Sequence, residues 1–178
     1  PALSALAKGG PARWPEPVIT TGELSKDTAS AYVVDTIKLP DPNPWGAPMF
    51  TSGVDFFPDG RAALCTFHGD VFLISGLDEK LEHVTWKRFA SGLYHPLGLK
   101  VVDGKVVVLE RGQLTRLHDL NNDGEADFYE CVNNDWHTGG GEHSYDTCLE
   151  TDPQGNFYFF KTGDTDTPQL VDDHVRVL

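Results

Sequence analysis

The sequence predicts an all-β fold of the β-propeller class, because one strand–turn–strand unit recurs along the chain. From about residue 53 onward, short apolar segments alternate with turns rich in Gly, Pro, Asp and Asn. The turn glycines of three successive units, Gly60, Gly104 and Gly155, are 44 and 51 residues apart. Repeats of about 40–50 residues are typical of propeller blades. Almost no stretch has the periodicity of an amphipathic helix.

The order of strands and turns is the same in each unit, which favours a propeller over the alternative, a β-sandwich. The predicted strands are 54–57, 61–67 and 71–75, then 98–102, 105–109 and 113–118, then 148–151 and 156–161. About three blades cannot close a ring of about four to eight. We therefore predict a partial propeller over residues 31–178, completed by a second half or by a partner protein chain.

The first 50 residues have a different composition from the rest and are rich in proline. The Pro-x-Pro-x-Pro sequence at 40–44 favours extended, polyproline-like backbone. Residues 1–30 are predicted to be an extended leader that lies on, or trails from, the rest of the protein. The β-branched and aromatic residues of 31–37 predict a strand.

Composition and charge exclude several classes of protein. The chain has 14 Lys+Arg against 27 Asp+Glu, a net charge of −13, and no basic cluster, which argues against nucleic-acid binding. Its 39% hydrophobic and 11% aromatic residues can fill a core. No apolar run is long enough for a transmembrane segment. Cys65, Cys131 and Cys148 show no zinc or redox spacing, and either one disulfide with a free thiol or three thiols is possible.

Residues 119–130 match the calcium-loop pattern D-x-[DN]-x-[DN]-G-x5-E at every position. Hard oxygen donors at this spacing favour Ca2+ over transition metals. The alternative is an exposed acidic turn. Strands flank the loop, so we predict an EF-hand-like loop with a structural role. Its predicted ligands are Asp119, Asn121, Asp123, Glu125 through its carbonyl, Asp127 and Glu130.

A second candidate site is the glycine-rich segment 135–146, which lies between two predicted blades. Loops at this place reach the top face of a propeller and line its central pocket. Three glycines allow close approach of the backbone, although an exposed connector with solvated histidines is the alternative. The candidate residues are His137, His143 and Asp146 for acid–base chemistry or metal binding, and Trp136, Tyr145 and the more distant His95 for binding of a sugar or planar cofactor.

Four phrases of the chain resemble one known family: residues 86–93, 96–99, 114–118 leading into the acidic loop, and 155–158. Over residues 31–178 the chain resembles the glucose/sorbosone dehydrogenase-like six-bladed β-propellers of planctomycete-type bacteria, and would be their N-terminal half. In quinoprotein sugar dehydrogenases of this group, pyrroloquinoline quinone (PQQ) and calcium are cofactors. A histidine just before a strand like the one at Leu149 abstracts a substrate proton, and His143 occupies the matching position.

The resemblance implies a quinoprotein-like carbohydrate oxidoreductase, periplasmic or extracellular, that takes a sugar or glycan as ligand. His143 would accept a proton from a sugar hydroxyl, with Trp136 or Tyr145 stacked on the sugar ring. Two alternatives remain open. One is a non-catalytic, calcium-stabilised binding or assembly propeller within a larger complex. The other is a metal-assisted carbohydrate lyase or hydrolase that uses His137, His143 and Asp146.

Overall fold

The computed structural model of the chain describes residues 3–136, 143–162 and 176–177. In these residues the chain is all-β, as the sequence predicts, and its strands form three antiparallel sheets, none of which closes on itself. The only helix among them is α1 (Leu3–Leu6), and no described helix is long and apolar enough to span a bilayer.

The sheets contain five, four and three strands. The first contains β1 (Val18–Thr20), β2 (Thr51–Phe56), β3 (Ala62–Thr66), β4 (Val71–Ser75) and β5 (Val84–Ala90), arranged as β1-β5-β4-β3-β2. The second contains β6 (Gly98–Val102), β7 (Lys105–Glu110), β8 (Gln113–His118) and β9 (Phe128–Asn133) in chain order. The third contains β10 (Asp146–Thr151), β11 (Phe157–Lys161) and β12 (Arg176–Val177), also in chain order.

The predicted turns are confirmed and they set where the strands end. Asp103 and Gly104 join β6 to β7, and both have positive φ, 50° and 73°, as a type I′ hairpin turn requires. Gly60 and Gly155 close the corresponding turns of the other two sheets, each with φ of 86°. The Gly60 N–H donates to the carbonyl of Phe57 at 3.0 Å. In each sheet, therefore, a tight turn follows the first long strand.

The first long strands of the three sheets, β2, β6 and β10, lie side by side. A Cβ atom on Gly53 would lie 3.0 Å from the backbone nitrogen of Leu99. A Cβ atom on Gly98 would lie 2.7 Å from the Cβ atom of Leu149. Glycine at these two positions therefore permits the close approach of neighbouring sheets.

The sheets pack face to face over two apolar clusters. Between the first and second sheets lie Ala63, Cys65, Val71, Phe89, Leu99, Val106, Val108 and Leu117. Between the second and third lie Val107, Leu109, Leu114, Trp136, Leu149, Phe157 and Phe159. A further cluster covers the other face of the first sheet, where Trp45, Ala47 and Met49 pack against residues such as Phe72 and Trp86. Both faces of the first two sheets are thus apolar.

The leader lies on the protein along part of its length. Val18–Thr20 forms β1 and pairs with β5, with Val18 opposite Trp86. The indole N–H of Trp86 donates to the Thr20 hydroxyl at 2.9 Å, which fixes this strand at the outer edge of the first sheet. The division of the chain into 1–30 and 31–178 stays a prediction.

The strand predicted over 31–37 is wrong. This segment makes a single isolated bridge, in which Thr36 and Glu23 exchange two backbone hydrogen bonds of 2.8 Å. Tyr32 and Val34 are exposed. Composition alone therefore does not make this segment a strand, and β1 is the segment that forms the outer strand of the first sheet.

Candidate functional site

The predicted catalytic and substrate-binding residues that the structure describes lie at one end of the sheets, where β2, β6 and β10 begin; we call it the top end. The loop 91–97, which joins the first sheet to the second, crosses this end. The Leu93 N–H donates to the carbonyl of Gly69 at 3.1 Å, and the Arg111 N–H donates to the carbonyl of Tyr94 at 2.9 Å. The loop is therefore bonded to turns of both sheets.

Two further contacts hold this loop. Glu110 is buried, and its carboxylate accepts the Tyr94 N–H at 2.5 Å and the hydroxyl of Thr115. A Cβ atom on Gly69, whose φ is 100°, would lie 2.1 Å from the Leu93 carbonyl oxygen. Only glycine fits there, so the turn and the loop hold each other in place.

The loop presents a group of rings that we call the top-end stack: Phe67, Tyr94, His95 and Tyr145. The His95 ring lies between Phe67 and Tyr94, with ring centroids 4.4 Å away on each side and interplanar angles of 7° and 27°. The Tyr145 ring is 6.0 Å from that of His95 and 5.9 Å from that of Phe67. Residues from all three sheets or their connections thus meet at one place.

Arg111 adds a positive charge to the stack. Its guanidinium carbon lies 5.2 Å from the centre of the Tyr145 ring and 5.8 Å from that of Tyr94, within the range of a cation–π interaction. The Tyr94 side chain is 55% exposed. A flat, exposed ring beside a cation suits a ligand with an apolar face and polar edges.

His95 has an unusual environment for a histidine. Its Nδ1 atom is buried and has no hydrogen-bond partner among the residues that the structure describes. Its backbone φ is 46°, in the left-handed region that few residues other than glycine adopt. Burial lowers the pKa of His95, and the charges of Arg111 and His68 lower it further.

Asp146 is a second buried polar group at the top end. Its side chain is 1% exposed, and one carboxylate oxygen, Oδ2, accepts the Gly112 N–H at 2.7 Å and the indole N–H of Trp136 at 2.9 Å. The other oxygen, Oδ1, has no partner in the described part of the chain. Asp146 therefore ties the third sheet to a turn of the second.

Trp136 is a core residue and presents no face to a ligand, contrary to its expected stacking role. It is 5% exposed and packs on Phe159, with ring centroids 4.8 Å apart. Its indole N–H donates a hydrogen bond to the buried carboxylate of Asp146, which orients the ring toward the core. Of the two aromatic residues predicted in the glycine-rich segment, Tyr145 is the one that joins the top-end stack.

The structure describes one of the two predicted histidines of this segment. His137 lies outside the described residues. His143 is exposed, and its carbonyl accepts the hydroxyl of Thr162 at 2.9 Å. The Thr162 hydroxyl oxygen also accepts the Tyr145 N–H at 2.8 Å, so His143 is held close to the residue that enters the stack.

The acidic loop lies at the opposite end of the sheets, between β8 and β9. The Asp119 carboxylate accepts the N–H of Gly124 at 2.8 Å and that of Asp123 at 3.2 Å. The Asn121 side-chain oxygen also accepts the Asp123 N–H, at 3.1 Å. Gly124 has φ of 83°, which the sharp turn needs. The loop thus closes on its own first carboxylate.

Glu130 departs from the predicted ligand set, because it lies on β9 and its side chain turns toward β8. Its carboxylate accepts from Nε2 of His118 at 2.7 Å and from Arg116 at 3.1 Å. The hydrogen bond from His118, followed by the charge of Arg116, lowers the pKa of Glu130. Within the residues described, no group of three or more His, Cys, Asp or Glu side chains is arranged around a metal position.

Several loop side chains instead bind the leader. Glu125 is buried, and its carboxylate accepts the backbone N–H of Arg13 at 2.7 Å and that of Trp14. Asp127 accepts the Gly10 N–H at 2.7 Å, and the Asn121 amide donates to the Gly10 carbonyl at 2.6 Å. We call residues 9–14 the strap.

The sequence does not predict the strap contacts or the residues that complete the top-end stack. Phe67, Tyr94 and Arg111 lie in turns and connections, and their chain positions are far from the glycine-rich segment. The signal that could have found them is topological. In a series of antiparallel sheets, alternate connections fall at the same end, so 67–70, 91–97 and 111–112 should meet the segment before β10.

Comparisons of the chain with protein-family models, with curated proteins and with solved structures gave no match. The site is therefore interpreted from its own geometry.

Proposed function

We propose that the three sheets are blades of a β-propeller, and that the chain forms about half of a six-bladed ring. Two features support this. The first long strand of each sheet lies beside that of the next, with Gly53 against Leu99 and Gly98 against Leu149. The sheets also pack face to face, as blades do.

Exposed apolar side chains on the first and third sheets support the same proposal. Val54 and Phe56 alternate on the edge strand β2 and are 54% and 61% exposed, while Phe160 on β11 is 59% exposed. Exposed apolar side chains of this kind favour association with a further sheet. A second half of the propeller or a partner protein chain would cover them.

We propose that the top end binds a carbohydrate and that the protein is a quinoprotein-like carbohydrate oxidoreductase of the periplasm or cell exterior. The observation that carries the proposal is the exposed Tyr94 ring beside Arg111 and His95. Aromatic rings pack against the C–H face of a sugar, and adjacent guanidinium and imidazole groups bond its hydroxyls.

In this proposal His143 accepts the proton from a sugar hydroxyl, because the residue is exposed and its backbone is held near Tyr145 through Thr162. Arg111 and the flat face of Tyr145 suit a planar, anionic quinone such as PQQ. When bound, such a quinone would supply a two-electron acceptor for the hydride that leaves the sugar carbon, while His143 accepts the hydroxyl proton.

Calcium is proposed for the acidic loop, with a structural role. The donors would be Asp119, Asn121, Asp123 and Asp127 with the Glu125 carbonyl, and Glu130 would take no part. The support is the chemistry of the donor set and the closure of the loop on Asp119.

The second candidate function is a binding or assembly propeller without chemistry. It is favoured by the exposed apolar faces at both ends of the series, which suit a larger complex. The metal-assisted lyase or hydrolase is less favoured, because one oxygen of Asp146 is already bonded to Trp136 and Gly112.

Calorimetric titration of the full chain with a panel of aldoses tests the binding proposal. We expect saturable binding that Tyr94→Ala weakens about tenfold or more, since a buried aromatic contact contributes about 1–3 kcal/mol. His83→Ala, an exposed histidine far from the top end, is the control and should bind as the wild type does. Equal binding by Tyr94→Ala would show that the sugar does not use the stack.

A further inference from the structure

We propose that His95 is a neutral imidazole protonated on Nε2, and that this N–H donates to an oxygen of the ligand bound at the top end. The first part concerns the protein alone. The second part rests on the carbohydrate site proposed above, and assigns His95 as a hydrogen-bond donor that contributes to specificity for an oxygen at one ligand position.

The burial of Nδ1 decides which nitrogen carries the proton. Nδ1 is shielded from solvent and meets no hydrogen-bonding atom among the described residues. A proton there would be a buried donor without an acceptor, which incurs the full desolvation cost of the group. The bare lone pair is the less costly state, so the single proton of the neutral ring belongs on Nε2.

The same burial opposes the doubly protonated ring. Protonation to the imidazolium would place the second proton on Nδ1, in the position that lacks an acceptor. Among the described residues, the titratable groups whose charge acts on the ring are both basic: Arg111 from the turn between β7 and β8, and His68 from the turn between β3 and β4. The nearby Glu110 carboxylate is bonded to Tyr94 and Thr115, and no described carboxylate pairs with His95.

The ring is also fixed in orientation. Phe67 and Tyr94 lie on its two faces at 4.4 Å. The loop that carries it is bonded to Gly69 and Arg111. A donor whose direction is set before the ligand arrives loses little conformational freedom on binding. His95 therefore complements His143: one imidazole donates a hydrogen bond, and the other accepts a proton.

Nitrogen-15 NMR of the full chain tests the first part without any ligand. We expect His95 to show the two-bond correlation pattern of the Nε2–H tautomer at about pH 8, and to become charged only below the ordinary histidine pKa of about 6.5. The Nδ1–H pattern, or conversion to the imidazolium at or above that ordinary pKa, would overturn the assignment.

Titration with D-glucose tests the second part. His95→Phe keeps a ring between Phe67 and Tyr94 but removes the donor, and we expect it to weaken glucose binding about tenfold, the effect of one hydrogen bond lost to a fixed partner. His95→Gln retains an N–H donor and should recover part of the affinity. The matched control is His83→Phe.

The outcomes separate the two proposals. If wild type binds glucose and His95→Phe binds it equally well, the donor role is overturned and the carbohydrate site stands. If wild type binds no sugar of the aldose panel, the carbohydrate site fails and the donor role fails with it. The tautomer of His95 is decided by NMR in either case.

Discussion

The buried carboxylate of Glu125 binds the backbone amides of two consecutive leader residues, Arg13 and Trp14. The Trp14 ring is then held between two guanidinium groups, those of Arg13 and Arg88, each 4.4 Å from the ring centre. Arg88 in turn pairs with the buried Asp70 at 2.5 Å. The strap therefore connects the acidic loop of the second sheet to the body of the first.

We expect Glu125→Ala to destabilise the protein by about 3 kcal/mol or more, because two amides lose a charged acceptor whose hydrogen bonds contribute about 1.5–3 kcal/mol each. Urea unfolding followed by circular dichroism measures the change. Glu23→Ala is the control: its exposed pair with Lys38 should contribute less than about 1 kcal/mol. Equal effects of the two substitutions would show that Glu125 does not hold the strap in place.

Gly98→Ala should destabilise the packing of the second sheet on the third. The new Cβ atom would lie 2.7 Å from the Cβ and 2.8 Å from the backbone nitrogen of Leu149, and overpacking of this kind costs about 1–3 kcal/mol. Gly10→Ala is the matched control, because nothing lies within 4 Å of its added Cβ. A thermal midpoint of Gly98→Ala equal to that of the control would show that the two strands do not approach this closely.

Chelation should lower the thermal midpoint if the acidic loop holds calcium. Asp123→Ala should reproduce the loss and make the protein insensitive to added calcium, because it removes a central donor of the loop. Glu130→Gln should leave the response to calcium intact, since its carboxylate is bonded to His118 and Arg116. A midpoint unaffected by removal and return of calcium would refute the proposed site.

Asp152 should titrate well below an ordinary aspartate. The Asn156 side chain, followed by the Tyr158 hydroxyl and nearby amides, lowers the pKa of Asp152 to about 2. A lowered pKa means that the carboxylate stabilises the fold above the ordinary pKa of about 3.9, and that this contribution is lost as the pH falls through about 2. NMR titration of Asp152 should show a higher pKa in Tyr158→Phe, which lacks the donated hydroxyl; an unchanged value would exclude that cause.

The sequence predicted those features that depend on local chemistry. Turn glycines, hairpin turns and the closure of the acidic loop follow from positive φ and from short polar side chains that bond nearby amides, and all are found in the structure. The β-rich fold follows from the period of the strands. Glu130 matched the loop pattern, but pairing of β9 with β8 directs its side chain to Arg116.

The remaining features depend on contacts between residues that are far apart in the chain. The flat ring of Trp136 suggests a surface for a ligand, but in the structure its indole N–H donates to the buried carboxylate of Asp146. Residues 31–37 have strand composition, but Val18–Thr20 is the segment that pairs with β5. The top-end stack joins connections that are far apart in the chain, and only the arrangement of the sheets brings Phe67, His95 and Tyr145 together.

Turnover of a sugar by the intact protein tests the central claim most directly. The wild type, supplied with PQQ and calcium, would be assayed against a panel of aldoses with an artificial electron acceptor. We expect oxidation that His143→Ala reduces by about 10²–10⁴, the usual contribution of a positioned general base, while His83→Ala retains full rate and the thermal midpoint of His143→Ala is unchanged. Absence of oxidation by the wild type, or equal turnover by His143→Ala, would contradict the account.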